Sequence, residues 1–316
     1  RNDWGVSWGT ALGGTLTFES GYIELLRNGR ERVSPLSVVL GMSNAAASHI
    51  SIQLGLGASC ATYTVACASS AVAIGEALPK IRSGEANLMV VGGSEAPLSY
   101  AVVRAWEAMR VLAGGDASSA ARACRPFSSN RQGLVLGEGA GAMVLEEWEH
   151  AVGRGARIYA EFAGFGSTSD HSHLVRPSAD GQARAMRMAL ADGGMTSEDI
   201  DYINAHGTAT REGDPIEIAA IRGVFGERSG AVAVSATKSM HGHMLGATGV
   251  IEAIITVLSL DSQEAPPTAY LDNLDRECAG VRHIVGESLR GELRAALSNS
   301  FAFGGSNTVL AFRAAR

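Results

Sequence analysis

Charge is scarce in this chain: only 18% of its 316 residues are Asp, Glu, Lys or Arg, and the balance is −6. That sign excludes a general nucleic-acid binder and leaves open only a local basic patch for an acidic partner. Cysteine is scarce too. Cys60, Cys67, Cys124 and Cys278 show neither CxxC spacing nor the density of a disulfide scaffold, so a reducing, cytoplasmic setting is the expectation. No uncharged apolar run reaches membrane-spanning length and no signal peptide opens the chain, so membrane insertion is not expected. Low-complexity linkers are missing. Residue 1 is Arg rather than Met, and "RNDWGVSWGTALGG" starts close to a strand, which reads as a chain cut from something longer. Apolar sequence is what the chain has in quantity, 46% of it, enough for a large core.

The rhythm along the chain is α/β. "GVSWGTALGG" reads as a strand entering a glycine turn, and "TLTFESGYIELLRNG" as a helix ended by Gly29. "SHISIQLGL" reads as a helix, "CATYTVA" as a strand, and residues 67 to about 83 as a helix that Pro79 kinks or divides. "ANLMVVGG" has the unbroken apolar character of a buried strand, and "GAGAMVLEEWEHAVGRG" gives a strand and a short helix. After a break near Gly153 to Arg157 a second series begins: "RIYAEFAGFGSTSD", the helix "DGQARAMRMALADGG", the strand "IDYINAHG", the helix "DPIEIAAIRGVFG", the strand "VAVSAT", the apolar helix "GATGVIEAIITVLSL", and the closing strands of "ALSNSFAFGGSNTVLAFRA". Two similar halves, 1–155 and 156–316, each carry a helix apolar nearly all round. Such a helix must lie between layers, so a layered α/β architecture of two sheets sandwiching central helices is expected.

Three segments carry chemistry. Cys67 follows a β-branched run and opens a buried helix. It reads either as a small core residue or as a nucleophile whose thiol the helix N-terminus acidifies. His206 ends a strand in "NAHGTAT", where ligands gather in α/β folds. "ATKSMHGHMLGATG" offers Lys238, His241 and His243 ahead of the second apolar helix. A thiolate attacks an acyl carbonyl, and neutral imidazoles stabilise the oxyanion that develops. The His-x-His pair, and "DHSH" at 170 to 173, lack further ligands for a metal. "GEGAG" lacks the spacing of a dinucleotide loop. No metal and no cofactor is therefore expected.

With "VACASS", "RPFSSNRQGLVLGEGAGAMVLEE", "NAHGTATREGDPIE", "KSMHGHMLGATGVIEA" and "NSFAFGGSN" in this order, the chain resembles the elongating β-ketoacyl-[acyl-carrier-protein] synthases, condensing enzymes of the thiolase fold. The resemblance implies a thiolase-like αβαβα arrangement of duplicated halves, with the opening strand-helix-strand part of the first half absent. It implies that Cys67 takes an acyl chain from a carrier-protein thioester. His206 and His243 would then assist loss of CO2 from malonyl-carrier protein, with condensation to a 3-oxoacyl product. Lys238 would order that site with Glu252 as its ion partner. The backbone N–H groups of Cys67 and Phe303 match the family's oxyanion hole, and Phe303 its aromatic gate. Thr208 and Thr210 match threonines that bind the pantetheine arm, and Leu12 a residue limiting chain length. The family motif selects His243 rather than His241. Acidic acyl carrier protein is the implied partner, with Arg32 and Arg110 its best-matched contacts beside Arg27 and Arg30. A homodimer is implied, with a heterodimer the alternative.

Ser128, Gln132, Leu134 and Ala302 depart from the family's usual residues. They bear on substrate more than on reaction, and admit polyketide or polyene assembly beside fatty-acid elongation. The other function is a catalytically silent partner that sets chain length, which usually lacks the cysteine. A thiolase would need a second catalytic cysteine, and Cys278 lacks its glycine setting. An initiating synthase would carry Asn where His243 stands.

Overall fold

The computed structural model describes residues 1–315. In the first half β1 (Trp4–Gly9) leads to α1 (Thr15–Tyr22), α2 (Ser37–Gly41), α3 (Ala45–Leu54) and β2 (Cys60–Tyr63). Then come α4 (Ser69–Arg82), β3 (Leu88–Glu95), α5 (Tyr100–Ala108), β4 (Gly139–Glu146) and α6 (Trp148–Gly153). The second half runs β5 (Ala160–Ser169), α7 (Ala179–Asp192), β6 (Tyr202–Asn204), α8 (Gly213–Phe225), β7 (Ala233–Ser235) and α9 (Lys238–His241). It continues with α10 (Thr248–Ser262), β8 (Glu264–Ala265), β9 (Arg282–His283), β10 (Leu289–Arg290), β11 (Ala295–Ala302) and β12 (Ser306–Ala314).

The duplication shows in the sheets. The first has the order β2-β1-β3-β4 and the second β5-β12-β11-β6-β7-β9. In each, a run of parallel strands (β2-β1-β3 in the first, β9-β7-β6-β11 in the second) ends in an antiparallel neighbour, β4 or β12. The outer edge of β12 is covered by β5. Among the described residues no strand covers the outer edge of β4, and a cavity of about 900 Å³ lies beside it, lined in part by Val144, Tyr159 and Leu258.

The two apolar helices lie between the sheets. α4 packs on β1 and β3, α10 on β11 and β4, and the two pack on each other. Their burial on several sides is what an all-round apolar sequence requires. At the crossing the Ser70 hydroxyl accepts the Val250 N–H at 2.9 Å, satisfying one of the free donors in the first turn of α10. By length and composition Leu245–Ser262 is apolar enough to cross a membrane, but here it is the mostly buried core helix. Pro79 does not divide the helix: α4 runs on to Arg82, and the Pro79 carbonyl accepts the Ser83 N–H at 2.9 Å. Proline this near a helix end removes one donor and leaves the last turn intact. "TLTFESGY" is followed by a wider π turn, Ile23–Arg27, before Gly29 at φ +63°. α2 and α5 have no counterpart in the sequence reading.

The helix crossing is tight at Gly249, where a Cβ would sit 2.8 Å from the Ala71 nitrogen and 2.9 Å from its Cβ. Gly249→Ala should therefore destabilise the fold by about 1–3 kcal/mol. Gly223→Ala, in α8 with open space around it, should be stabilising by about 0.5–1 kcal/mol. Urea midpoints of the two variants against wild type check both signs.

Candidate active site

Each half delivers its part of the site at the same structural level. Before α4 the chain makes a 3-10 turn, Ala66–Ala68, and before α10 another, Leu245–Ala247. Each turn opens on a non-glycine residue at φ +44°, Ala66 and Leu245. This strained turn carries Cys67 in the first half; in the second, His243 lies just ahead of it. The Cys67 Sγ lies 3.1 Å from His243 Nε2, and both residues are buried.

His243 is held from both sides. Its N–H donates to the Val135 carbonyl at 2.7 Å, and its carbonyl accepts the Gly137 N–H at 2.9 Å. Its Nδ1 lies 3.0 Å from the Thr248 hydroxyl. His206 stands two residues beyond β6 with its ring edge-on to His243, centroids 5.5 Å apart. Its backbone is fixed by Glu217, whose carboxylate accepts the N–H groups of His206 and Gly207, each at 2.8 Å. Asn299 Nδ2 donates to the same carboxylate at 3.1 Å.

Lys238, one of only two lysines in the chain, is fully buried. Its Nζ meets Glu252 Oε1 at 2.6 Å, the His206 carbonyl, and His206 Nδ1 at 3.3 Å. An ammonium has three protons and no lone pair, so these three acceptors use it fully. His206 Nδ1 is therefore the acceptor, and its proton sits on Nε2, facing the cluster. Thr248 imposes no such choice on His243, because a hydroxyl donates or accepts. The Cys67 Sγ and the imidazole nitrogens lie within 4.8 Å of one another, a separation three metal ligands could have. The lysine argues against that use: it puts a proton on the His206 nitrogen a metal would need.

Burial dominates the electrostatics. It holds the imidazoles of His206 and His243 well below the ordinary histidine value, Lys238 adding to the effect, so both are neutral. It also pushes the Cys67 thiol up to about 11, against Lys238 and the N–H groups of Phe303 and Cys67 itself. This reverses the expected acidification. The dipole argument was local, and the first turn is 3-10 in a dry interior where a thiolate is costly. The N–H groups of Phe303 and Cys67 oppose that rise, and they are the two amides that the family resemblance assigns to the oxyanion hole.

The remaining candidates divide. His241 bonds the Gly242 carbonyl at 2.8 Å and Thr237 at 3.1 Å, away from the sulfur, because Gly242 at φ +73° breaks any shared face with His243. Phe303 stacks on Trp106, centroids 5.8 Å apart, at the turn Gly304–Gly305, whose positive φ values need glycine. Thr208 and Thr210 pair their hydroxyls at 3.0 Å on the loop after His206, half-buried. Leu12 is 39% exposed on the turn after β1. Arg32 and Arg110 are exposed, and neither guanidinium has a hydrogen-bonded partner among the described residues. His171 and His173 are exposed outside the cluster. Ser128 is buried against Asn130 and the Asn273 carbonyl, whereas Gln132 is exposed.

The sequence reading missed Glu95, Trp106, Arg131, Asp214, Glu217, Thr248 and Phe301. Phe301 lies 6.0 Å from the His206 ring. Arg131 donates to the carbonyls of Thr210 at 2.9 Å and Arg211 at 2.8 Å, and so braces the threonine loop. Asp214 accepts the Phe127 N–H at 2.7 Å, and burial raises its pKa to about 7. For Glu95, Arg131, Asp214 and Glu217 the one sequence signal was charge in a chain that has little of it; Trp106, Thr248 and Phe301 carried none.

The site is that of a thiol-dependent acyltransferase built across two halves of a thiolase-like layered fold. The chain belongs to the β-ketoacyl synthase family. Residues 1–151 match "Beta-ketoacyl synthase, N-terminal domain" and residues 159–272 match "Beta-ketoacyl synthase, C-terminal domain". Nodulation protein E of Rhizobium sp. (strain N33) is 45% identical over 309 residues, covering 98% of this chain and 75% of that protein. The 3-oxoacyl-[acyl-carrier-protein] synthase 2 of Staphylococcus aureus (strain COL) is 42% identical over 312 residues, 98% of this chain and 74% of that protein. Among solved structures, a type II polyketide ketosynthase in complex with its acyl-carrier protein superposes with a TM-score of 0.95 at 32% identity, covering 100% of this chain and 79% of that one.

A thiol raised to about 11 is reactive only in proportion to its thiolate. Iodoacetamide labelling of Cys67, followed by peptide mass spectrometry, should therefore accelerate about tenfold per pH unit from pH 7 to 10. A rate already level by pH 7.5 would show an acidified thiol instead.

Proposed function

We propose that the chain catalyses a decarboxylative Claisen condensation between an acyl group held on Cys67 and malonyl-acyl carrier protein, releasing CO2 and a 3-oxoacyl-acyl carrier protein. The observation that carries this reading is the convergence of the Cys67 Sγ and two neutral imidazoles in one buried cluster.

In the first step the Cys67 sulfur attacks the acyl thioester carbonyl, its proton passing to His243 Nε2 and then to the departing carrier thiol. The oxyanion is met by the N–H groups of Cys67 and Phe303. In the second step malonyl thioester loses CO2, and the electrons of the broken C–C bond form an enolate. His206 Nε2–H donates to the enolate oxygen, and so does His243 in its Nε2–H tautomer, reached by exchange of one ring proton with solvent, with the Thr248 hydroxyl then donating to its Nδ1. The enolate carbon attacks the acyl-cysteine, and collapse of the adduct expels the Cys67 thiolate, which takes from solvent the one proton that decarboxylation consumes. Phe303 gates the two half-reactions, Thr208 and Thr210 bind the pantetheine arm, Leu12 bounds the acyl chain, and Arg32 and Arg110 meet the acidic carrier protein. The pathway is fatty-acid elongation or a related polyketide or polyene assembly, in a cytoplasmic setting. The related ketosynthase in complex with its acyl-carrier protein supports the choice of partner. A second copy of the chain, or a related heterodimer partner, covers the exposed apolar side chains that include Leu26, Leu36 and Val38.

Intact-mass spectrometry after incubation with a panel of acyl-carrier proteins tests the reading. Wild type should gain the acyl mass and Cys67→Ala should not. No adduct from any donor on a folded protein would point to the silent chain-length partner. In steady-state condensation, His243→Ala should lose about 10²-fold or more in kcat, and His241→Ala far less. The reverse order would place the wrong histidine in the mechanism.

A further inference from the structure

Glu95 is a buried acid with no cation beside it among the described residues. β3 overshoots β1 by two residues, which sets Glu95 beside the turn leaving β1. Its Oε2 accepts the Ala11 N–H at 2.5 Å and the Gly246 N–H at 3.1 Å. Its Oε1 accepts the Leu12 N–H at 3.1 Å and lies 3.1 Å from the Thr10 hydroxyl, which in turn accepts the Gly13 N–H at 3.2 Å. Three of these donors are backbone amides, which cannot reverse their role.

The partners come from two places with different tasks. Thr10, Ala11 and Leu12 form the first-half turn that carries the chain-length residue of the reading above. Gly246 belongs to the second-half turn that follows His243. One carboxylate therefore ties the acyl-pocket wall to the histidine loop across the boundary between the halves. It also places a negative charge near Cys67, which disfavours the thiolate.

We propose that Glu95 is a positioning residue that locks the Leu12 turn to the His243 loop, coupling acyl-chain selection to the geometry of the condensation site. Leu12's part in this rests on the condensing reading; the link between Glu95 and Cys67 does not.

Glu95→Gln is the informative variant. With its amide nitrogen in place of Oε1, glutamine keeps the Ala11 and Gly246 bonds and can donate to Thr10, but it confronts the Leu12 N–H. It thus removes one tether and the charge while sparing the rest. The variant should stay folded, accept a wider range of acyl chains on Cys67, and lose roughly tenfold in kcat with KM for malonyl-carrier protein within about threefold. Its Cys67 alkylation curve should move to lower pH. Glu95→Asp keeps the charge on a shorter arm, so it should widen the chain range and leave the alkylation curve near that of wild type. Should Glu95→Gln fail to fold, Glu95→Asp carries the test through the chain range alone. Altered thermal stability with an unchanged chain range and alkylation curve would overturn the proposal. If wild type forms no acyl adduct, the condensing reading fails. The alkylation curve then decides the remaining link, a shift supporting it and no shift ending it.

Discussion

The site depends on one buried ion pair. Lys238 and Glu252 meet at 2.6 Å with neither side chain exposed to solvent. Taking two charges out of water costs several kcal/mol each, and their attraction repays this only when the remaining valences are used. Lys238 uses all of its own, on Glu252, on the His206 carbonyl and on His206 Nδ1. Glu252 is less well provided for: among the described residues its Oε2 has no hydrogen bond, and burial raises its pKa to about 7. A residue this poorly satisfied is a liability for stability alone. What it secures is the lysine, and through the lysine the tautomer of His206. The pair also joins three elements, α10, the short helix α9 and the end of β6, so the central layer and the second sheet cannot shift without breaking it.

Around that pair the duplication has been put to unequal use. Both halves lead into a central helix through the same strained 3-10 turn. The first places a sulfur there, and the second places glycine and sets imidazoles nearby. The helices cross at Gly249 close enough that each half's contribution falls within a hydrogen bond of the other's. Neither sheet alone holds a complete site. Any device that fixes one half against the other therefore acts on the chemistry as well as on the fold.

Much of this was legible in the sequence because it was local. Cys67, His206, Lys238 and His243 each sit at a junction that hydrophobic patterning marks, and the two all-round apolar helices announce a layer between sheets. The family motif separates His243 from His241 on spacing alone, and Gly242 supplies the structural reason. What stayed hidden is what chain separation hides. Glu95 finds its amide partners more than eighty residues away in both directions, and Arg131 reaches the Thr210 loop from nearly as far. Trp106 lies on α5, where no residue is buried and the pattern therefore carried no signal. The acidity of Cys67 was misjudged for the same reason. The helix start is visible in sequence, but desolvation is set by the layers that close over it.

The buried, weakly acidic thiol bears on how the chemistry is timed. A thiol pushed to about 11 in the free protein is protected from adventitious oxidants and electrophiles, because only its thiolate reacts quickly. The groups that would activate it are already in place: His243 at 3.1 Å to take its proton, and Lys238 with the N–H groups of Phe303 and Cys67 to favour negative charge. All of them are preorganised, so none needs to move when a thioester carbonyl arrives. Burial thus raises the barrier to forming a free thiolate while strengthening every dipole that stabilises the oxyanion after attack. The dry interior disfavours the resting anion and favours the transition state, the differential that catalysis requires.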